Sequence, residues 1–167
     1  MEGGRRKKEE GDEARGFRRL IAWQKADELA SSIFQALQRR PIPSWLATQV
    51  TKAAVSVPAN IAEGYARGAL KDYLRFLDIA RGSLAEVEYY LHFMCTNKLL
   101  EESVYGRLTR LHSDAGNLLL ALIRSLRLKL KEGSWSRVSD ELAEYSVGPL
   151  DESLLPPSSF LLPGEEG

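Results

Sequence analysis

The chain has 167 residues, of which 44% are apolar and 28% are charged, a composition typical of a globular protein of about one domain. Its 23 basic and 23 acidic residues cancel, and its longest apolar run, 118–123, is too short to cross a membrane. One cysteine and two histidines exclude an internal disulfide and a multi-thiolate or His-rich metal centre. We therefore predict a cytoplasmic protein with no cofactor, no metal and no membrane partner.

The N-terminal half contains an arm and two predicted helices. Residues 1–16 are charged and Gly-rich without an apolar period, which predicts a disordered arm. The first helix has one apolar stripe, formed by Trp23, Ala26, Ala30, Ile33 and Leu37. Pro41 and Pro43 end it, and Ser44 can cap the next helix. The second stripe comprises Leu46, Val50, Ala53, Val57 and Ile61, and Pro58 within it predicts a kink.

The third predicted helix has the clearest pattern. Its apolar residues repeat every seven positions as two interleaved series, Leu70, Leu77, Leu84 and Leu91 with Tyr73, Ala80, Val87 and Met94. This heptad pattern predicts a seam packed against neighbouring helices. Gly82 lies inside the helix, and since glycine costs about 1 kcal/mol there, a close approach of another backbone would explain it.

The fourth predicted helix has more apolar residues than one stripe can hold. The stripe is assigned to Val104, Leu108, Leu111, Ala115, Leu118 and Leu122. Leu119, Ile123 and Leu126 fall partly outside it, and a helix that is apolar over most of its girth must be covered on more than one side. One interpretation is that these three residues form an oligomer interface. The other is a broad internal stripe covered by the C-terminal tail.

The fold class follows from these elements. Four helical segments with short connections and no period-2 alternation predict an all-α, antiparallel up-down-up-down four-helix bundle over residues 17–131. Residues 132–167 contain Gly148-Pro149, Pro156-Pro157, Pro163-Gly164 and several serines, which predict a flexible tail with at most a short helix around 139–145.

The charge is distributed unevenly. Residues 1–131 hold 22 basic and 15 acidic side chains, whereas residues 132–167 hold one basic and eight acidic side chains. A basic body favours an anionic partner such as RNA or DNA, although a solvated surface explains the same numbers. Further basic groups lie at Arg18, Arg19 and Lys25 and at the end of the fourth helix. The candidate nucleic-acid-binding residues are Arg67, Lys71, Arg75 and Arg81.

The turn after the second helix carries unusual polar residues. Asn60 and Glu63 lie one turn apart near Pro58, where they can satisfy freed backbone groups or reach the third helix. Gly64 suits a left-handed residue that closes the helix. We interpret Pro58, Asn60, Glu63 and Gly64 as a structural motif, with a polar patch for a partner as the alternative.

The sequence offers no catalytic residues. His92 and Cys95 are neighbours at i, i+3 on a helix, but no loop or oxyanion donor accompanies them, which favours a buried inert thiol. The glycines do not match a phosphate-binding loop, and no Glu-x-x-His pair supports a di-metal site. We therefore predict a protein that is not an enzyme.

Three stretches resemble a known bacterial family of four-helix bundle proteins. They are AWQKA at 22–26, QVTKAAVSVPANIAEGYAR at 49–67 and FLDIARGSLAE at 76–86. The family includes proteins encoded in intervening sequences of 23S ribosomal RNA genes and the accessory variability determinant (Avd) of diversity-generating retroelements. The resemblance covers about residues 17–128, and the acidic tail and charged arm are departures from it.

The resemblance implies a subunit that assembles into a ring-like homopentamer. For the retroelement branch it also implies a basic surface that binds nucleic acid and a reverse transcriptase. It implies no catalytic residues. Our hypothesis is a non-enzymatic oligomeric scaffold that binds nucleic acid or a nucleic-acid enzyme. The alternative is a protein–protein interaction module that uses the apolar fourth helix.

Overall fold

The computed structural model describes residues 16–134. A 3-10 turn at Phe17–Arg19 precedes four helices: α1 (Ile21–Gln38), α2 (Ser44–Arg67), α3 (Leu70–Thr96) and α4 (Glu102–Glu132). Within residues 16–134 there is no strand, which confirms the all-α prediction. The predicted arm up to residue 15, and the predicted tail from residue 135 with its short helix, lie outside the described residues.

Contacts between the helices show how they run. Gly64 near the end of α2 meets Tyr73 near the start of α3. Arg127 near the end of α4 reaches Asp78 in the first half of α3. Each helix packs against the next in sequence and α4 also packs against α1, so the four helices close into a bundle. The two contacts above show that α2 runs antiparallel to α3 and that α3 runs antiparallel to α4.

The heptad seam of α3 is confirmed. All eight residues of its two series are buried, with exposures between 0% and 6%. They share the core with stripes from the other helices, including Ile33, Val50 and Ile61, each 0% exposed. The core therefore runs the length of the bundle between the four helices.

The oligomer interface assigned to α4 is wrong. Leu119, Ile123 and Leu126 are 1%, 2% and 0% exposed within the single chain, so they belong to the bundle's own core. Leu111, Leu118 and Leu122, which the sequence placed on the core line, are only half-buried. The buried face of α4 is therefore rotated about the helix axis relative to the prediction. Apolar residues lie on several faces of this helix, and packing against α1 and α3 determines which face is buried.

Two glycines also differ from expectation. Helix α2 continues past Gly64 to Arg67, and Gly68 is the left-handed residue that closes it, with a φ of 73°. Gly64 instead permits close packing, since a Cβ there would lie 2.7 Å from Tyr73 Cδ2 and 2.8 Å from Phe76 Cβ. A Cβ on Gly82 would meet no atom within 4 Å, so the close approach expected at that residue does not occur within the described chain.

The bundle has two ends with different components. At one end, the terminal end, α1 begins, the α2–α3 turn lies and α4 finishes. At the other, the loop end, residues 39–43 join α1 to α2 and residues 97–101 join α3 to α4. A helix of 24 residues such as α2 separates the two ends by about 36 Å.

Candidate nucleic-acid interface

The fold gathers positive charge at the terminal end. Three sequence segments meet there, 16–20, 63–81 and 124–134, and together they hold ten basic and four acidic side chains. The rest of the described chain holds seven basic and seven acidic side chains. All of the excess positive charge of residues 16–134 therefore lies in segments that meet at one end of the bundle.

The first candidate residue, Arg67, is held by its own helix. Its Nη2 lies 2.6 Å from Glu63 Oε1, one turn earlier on α2. This hydrogen bond raises the pKa of the Arg67 guanidinium, and the charge of Glu63 adds to the effect. Glu63 therefore pairs with Arg67, and not with backbone groups near Pro58 or with α3, which are the two contacts that the structural-motif interpretation expected of it.

Lys71 and Arg75 form the accessible part of the candidate surface. Both are exposed on the first turns of α3, and within residues 16–134 neither has an ion-pair partner. The guanidinium carbon of Arg75 lies 4.7 Å from the centre of the Phe76 ring, and that of Arg67 lies 5.2 Å from the same ring. This cation–π arrangement groups Arg67 and Arg75 around one aromatic ring and fixes their positions.

Arg81 has a different partner from the other three candidates. It lies 3.3 Å from Asp78, and Arg127 of α4 lies 3.3 Å from the same carboxylate. The structure thus brings Arg127, which was not among the candidate residues, to the terminal end. Asp78 and Arg127 are 49 positions apart, so no local sequence signal could have revealed this pair.

The polar motif of α2 forms a bracket to α3. Asn60 Nδ2 donates to the Ser56 carbonyl oxygen at 2.7 Å and to Ser56 Oγ at 2.9 Å. Ser56 Oγ in turn lies 2.8 Å from Oγ of the buried Ser83. The bracket crosses the interface in which Gly64 permits close packing, so it stabilises the helix pair that carries Arg67, Lys71 and Arg75.

The remaining chemical candidates do not converge. His92 is exposed, and Cys95 is half-buried and not fully buried as the inert-thiol interpretation expected. His112 Nε2 lies 2.9 Å from the Leu84 carbonyl oxygen and links α4 to α3. Among residues 16–134 no group of three or more His, Cys, Asp or Glu side chains could hold a metal ion. Likewise, none of the helices α1–α4 is long and apolar enough to span a membrane.

Comparison with known proteins agrees with this all-α bundle class. The sequence profile of the family described as 23S rRNA-intervening sequence protein matches residues 18–121. The chain therefore belongs to the 23S rRNA-intervening sequence protein family. No curated protein sequence matches it.

A solved structure shares the fold. It is a protein of unknown function from the S23 ribosomal protein family of Bacteroides thetaiotaomicron, with a TM-score of 0.56 and 22% sequence identity. The alignment covers 62% of this chain and 96% of that one. At this identity the likeness extends to the fold alone.

Proposed function

We propose that this protein is a non-enzymatic, self-associating bundle whose terminal end binds the phosphate backbone of RNA or DNA. The observation that carries the proposal is the concentration of all the excess positive charge of residues 16–134 in three segments at one end. Lysine and arginine on such a surface attract phosphates and release their counterions, without reading base sequence.

Lys71 and Arg75 are the residues assigned to the first contacts. They are exposed and lack ion pairs within the described chain, so binding a phosphate would not have to displace a carboxylate from either residue. Arg67 and Arg81 already pair with carboxylates, so they contribute to binding mainly through longer-range electrostatic attraction. A nucleic-acid enzyme such as a reverse transcriptase is the further partner that the family resemblance implies for this surface.

Self-association is the second part of the proposal. Large apolar side chains remain exposed on the bundle, at 49% for Phe34, 61% for Trp45, 50% for Val55 and 60% for Tyr89. Their burial between subunits would gain about 25 cal/mol per Å². The resemblance implies a homopentamer, in which the basic ends of five subunits would act together on one strand.

The test compares two double variants in RNA binding over a series of salt concentrations. Lys71→Gln/Arg75→Gln should lose about tenfold in affinity at low salt, and the salt slope should fall by about 0.7 for each lost contact on a single strand. Lys52→Gln/Arg110→Gln removes the same charge from exposed positions outside the terminal end. Its effect on affinity should be small.

Removing residues 135–167 provides the second arm of the test. This segment has one basic and seven acidic residues, so its removal should tighten RNA binding. Undetectable binding at low salt, both with and without the segment, would contradict the proposal. A complex that resists nuclease and salt would favour the protein–protein module instead, and light scattering measures the subunit number directly.

A further inference from the structure

A pocket of about 290 Å³ lies at the loop end, opposite the proposed nucleic-acid surface. It is formed where α1 finishes and α4 begins, and three of its lining residues are arginines: Arg39, Arg40 and Arg107. The lining also includes the amide of Gln35, the carboxylate of Glu101 and the apolar side chains of Ala36 and Val104. The volume approaches the roughly 300–1,000 Å³ range of small-molecule sites.

The three arginines differ in how they are held. Arg40 is anchored, with its side chain 18% exposed, Nη1 donating to the Ala36 carbonyl oxygen at 3.1 Å and Nη2 lying 3.4 Å from Glu101 Oε1. Arg39 and Arg107 are exposed and have no ion-pair partner within residues 16–134. The lining thus combines Arg40, which is held in place, with Arg39 and Arg107, which have no ion pair there, and its residues carry three positive charges and one negative charge.

The start of α4 adds to the positive potential. Glu101 precedes the first residue of α4 and makes no side-chain hydrogen bond to the helix amides. The amide groups of a helix N-terminus carry a partial positive charge, which favours an anion nearby. This effect alone would not define a site, but here it acts on a pocket that already carries a net charge of +2.

We propose that this pocket binds a phosphoryl group. Guanidinium groups bind phosphate oxygens through paired, charge-assisted hydrogen bonds, and three of them around one concavity suit a dianion better than a carboxylate. The site is separate from the terminal end and does not depend on the proposed function. The group could belong to a small phosphorylated molecule or to a nucleic-acid strand, and both present the same chemistry to the arginines.

The direct test is a titration of the full chain with inorganic phosphate at constant ionic strength, observed through the arginine Nε–H resonances in NMR spectra. Saturable shifts should appear at Arg39, Arg40 and Arg107. Arg39→Gln/Arg107→Gln should weaken the affinity by about tenfold for each arginine lost. Arg110→Gln, an exposed arginine of α4 outside the pocket, should leave it unchanged.

A gain-of-affinity variant guards against loss of folding as an explanation. Glu101→Gln removes the carboxylate that competes for Arg40, so phosphate should bind several-fold more tightly. Three results would each overturn the proposal. They are the absence of saturable shifts, an unchanged phosphate affinity in Arg39→Gln/Arg107→Gln, and an unchanged phosphate affinity in Glu101→Gln.

The source of the phosphoryl group is decided by a competition experiment. If an RNA oligonucleotide displaces phosphate, and Arg39→Gln/Arg107→Gln weakens RNA binding, the phosphoryl group belongs to a strand. If RNA does not compete, the site serves a small phosphorylated molecule. Because Lys71→Gln/Arg75→Gln leaves the pocket intact, failure at the terminal end and failure at the loop end are distinguishable.

Discussion

Arg127 Nη2 lies 3.3 Å from Asp78 Oδ1 and 3.4 Å from Oδ2, joining the last turns of α4 to α3. The same carboxylate lies 3.3 Å from Arg81. One acidic side chain therefore holds two guanidinium groups at the terminal end and offsets part of their charge. This makes Asp78 a restraint on the proposed nucleic-acid surface.

Replacing this carboxylate should strengthen RNA binding. Asp78→Asn frees Arg81 and Arg127, and we expect a gain of about threefold to fivefold in affinity at low salt, at a stability cost below about 1 kcal/mol because both pairs are exposed. Glu88→Gln makes the same change in charge at an exposed position further along α3. Equal gains in both variants, measured by fluorescence anisotropy, would show that only net charge matters.

Gly64 in α2 and Gly82 in α3 should respond oppositely to replacement by alanine. Gly64→Ala places a methyl group against Tyr73 and Phe76 and should destabilise the protein by about 1–3 kcal/mol. The methyl group of Gly82→Ala would meet no atom of residues 16–134 within 4 Å, so this variant should stabilise α3 by up to about 1 kcal/mol through helix propensity. Urea unfolding measures both, and a loss of stability in Gly82→Ala would reveal a neighbour supplied by another subunit.

Tyr73 should make the protein sensitive to alkali. Its side chain is 0% exposed, and its hydroxyl is buried without a hydrogen-bond partner among residues 16–134. Burial therefore raises the pKa of Tyr73 well above the ordinary 10.0, with a smaller contribution from Tyr65. Because the pKa is higher in the folded protein, the folded state holds the Tyr73 proton more tightly than the unfolded chain does. The contribution of this proton to the free energy of unfolding is therefore complete below pH 10.0, and it is lost as the pH rises above 10.0.

Tyr73→Phe tests this directly. The variant removes an unsatisfied hydroxyl, so the free energy of unfolding should rise by about 1 kcal/mol at neutral pH. Its loss of stability above pH about 10 should also be smaller than in the parent protein. Tyr89→Phe, at a side chain that is 60% exposed, should change neither quantity. A destabilised Tyr73→Phe protein would indicate that the hydroxyl has a partner, such as a bound water.

The reassigned core of α4 predicts a contrast between two leucines. Leu119→Ala should cost about 2–5 kcal/mol because it leaves a cavity inside the bundle. Leu128→Ala, at a side chain that is 57% exposed, should cost less than about 0.5 kcal/mol in the folded subunit. If Leu119→Ala instead left unfolding unchanged and altered only the subunit number, the original interface assignment would be restored.

The buried face of a helix could be predicted from the sequence where that helix carries a single apolar repeat. In α3 the two heptad series lie on a single face, and their regular seven-residue repeat identifies the buried side, although Leu74 and Phe76 outside the series are buried as well. In α4 the run at 118–123 is apolar on every side, and any of several lines could face inward. Packing against α1 and α3, which the sequence of one helix does not contain, selects Leu119 and Ile123.

The candidate surface was predictable only as separate groups. Arg67, Lys71 and Arg75 lie close in sequence, and the pairing of Arg67 with Glu63 follows from their i, i+4 spacing. Of the two ion pairs of Asp78, the pair with Arg81 could be predicted because the two residues are neighbours on α3. The pair with Arg127 could not, because Arg127 lies on α4. The loop-end arginines were overlooked for the same reason, since Arg39 and Arg107 meet only when α1 and α4 are packed.

The position of the end of α4 has a consequence for regulation. Residues 135–167, with seven acidic side chains and one basic side chain, are attached where the positive charge is concentrated. A tethered polyanion encounters its target at a local concentration set by chain length and not by the amount of protein. A nucleic-acid strand would have to compete with residues 135–167 for the terminal end. Proteolysis or phosphorylation of that segment would therefore change the concentration of strand needed to occupy the surface.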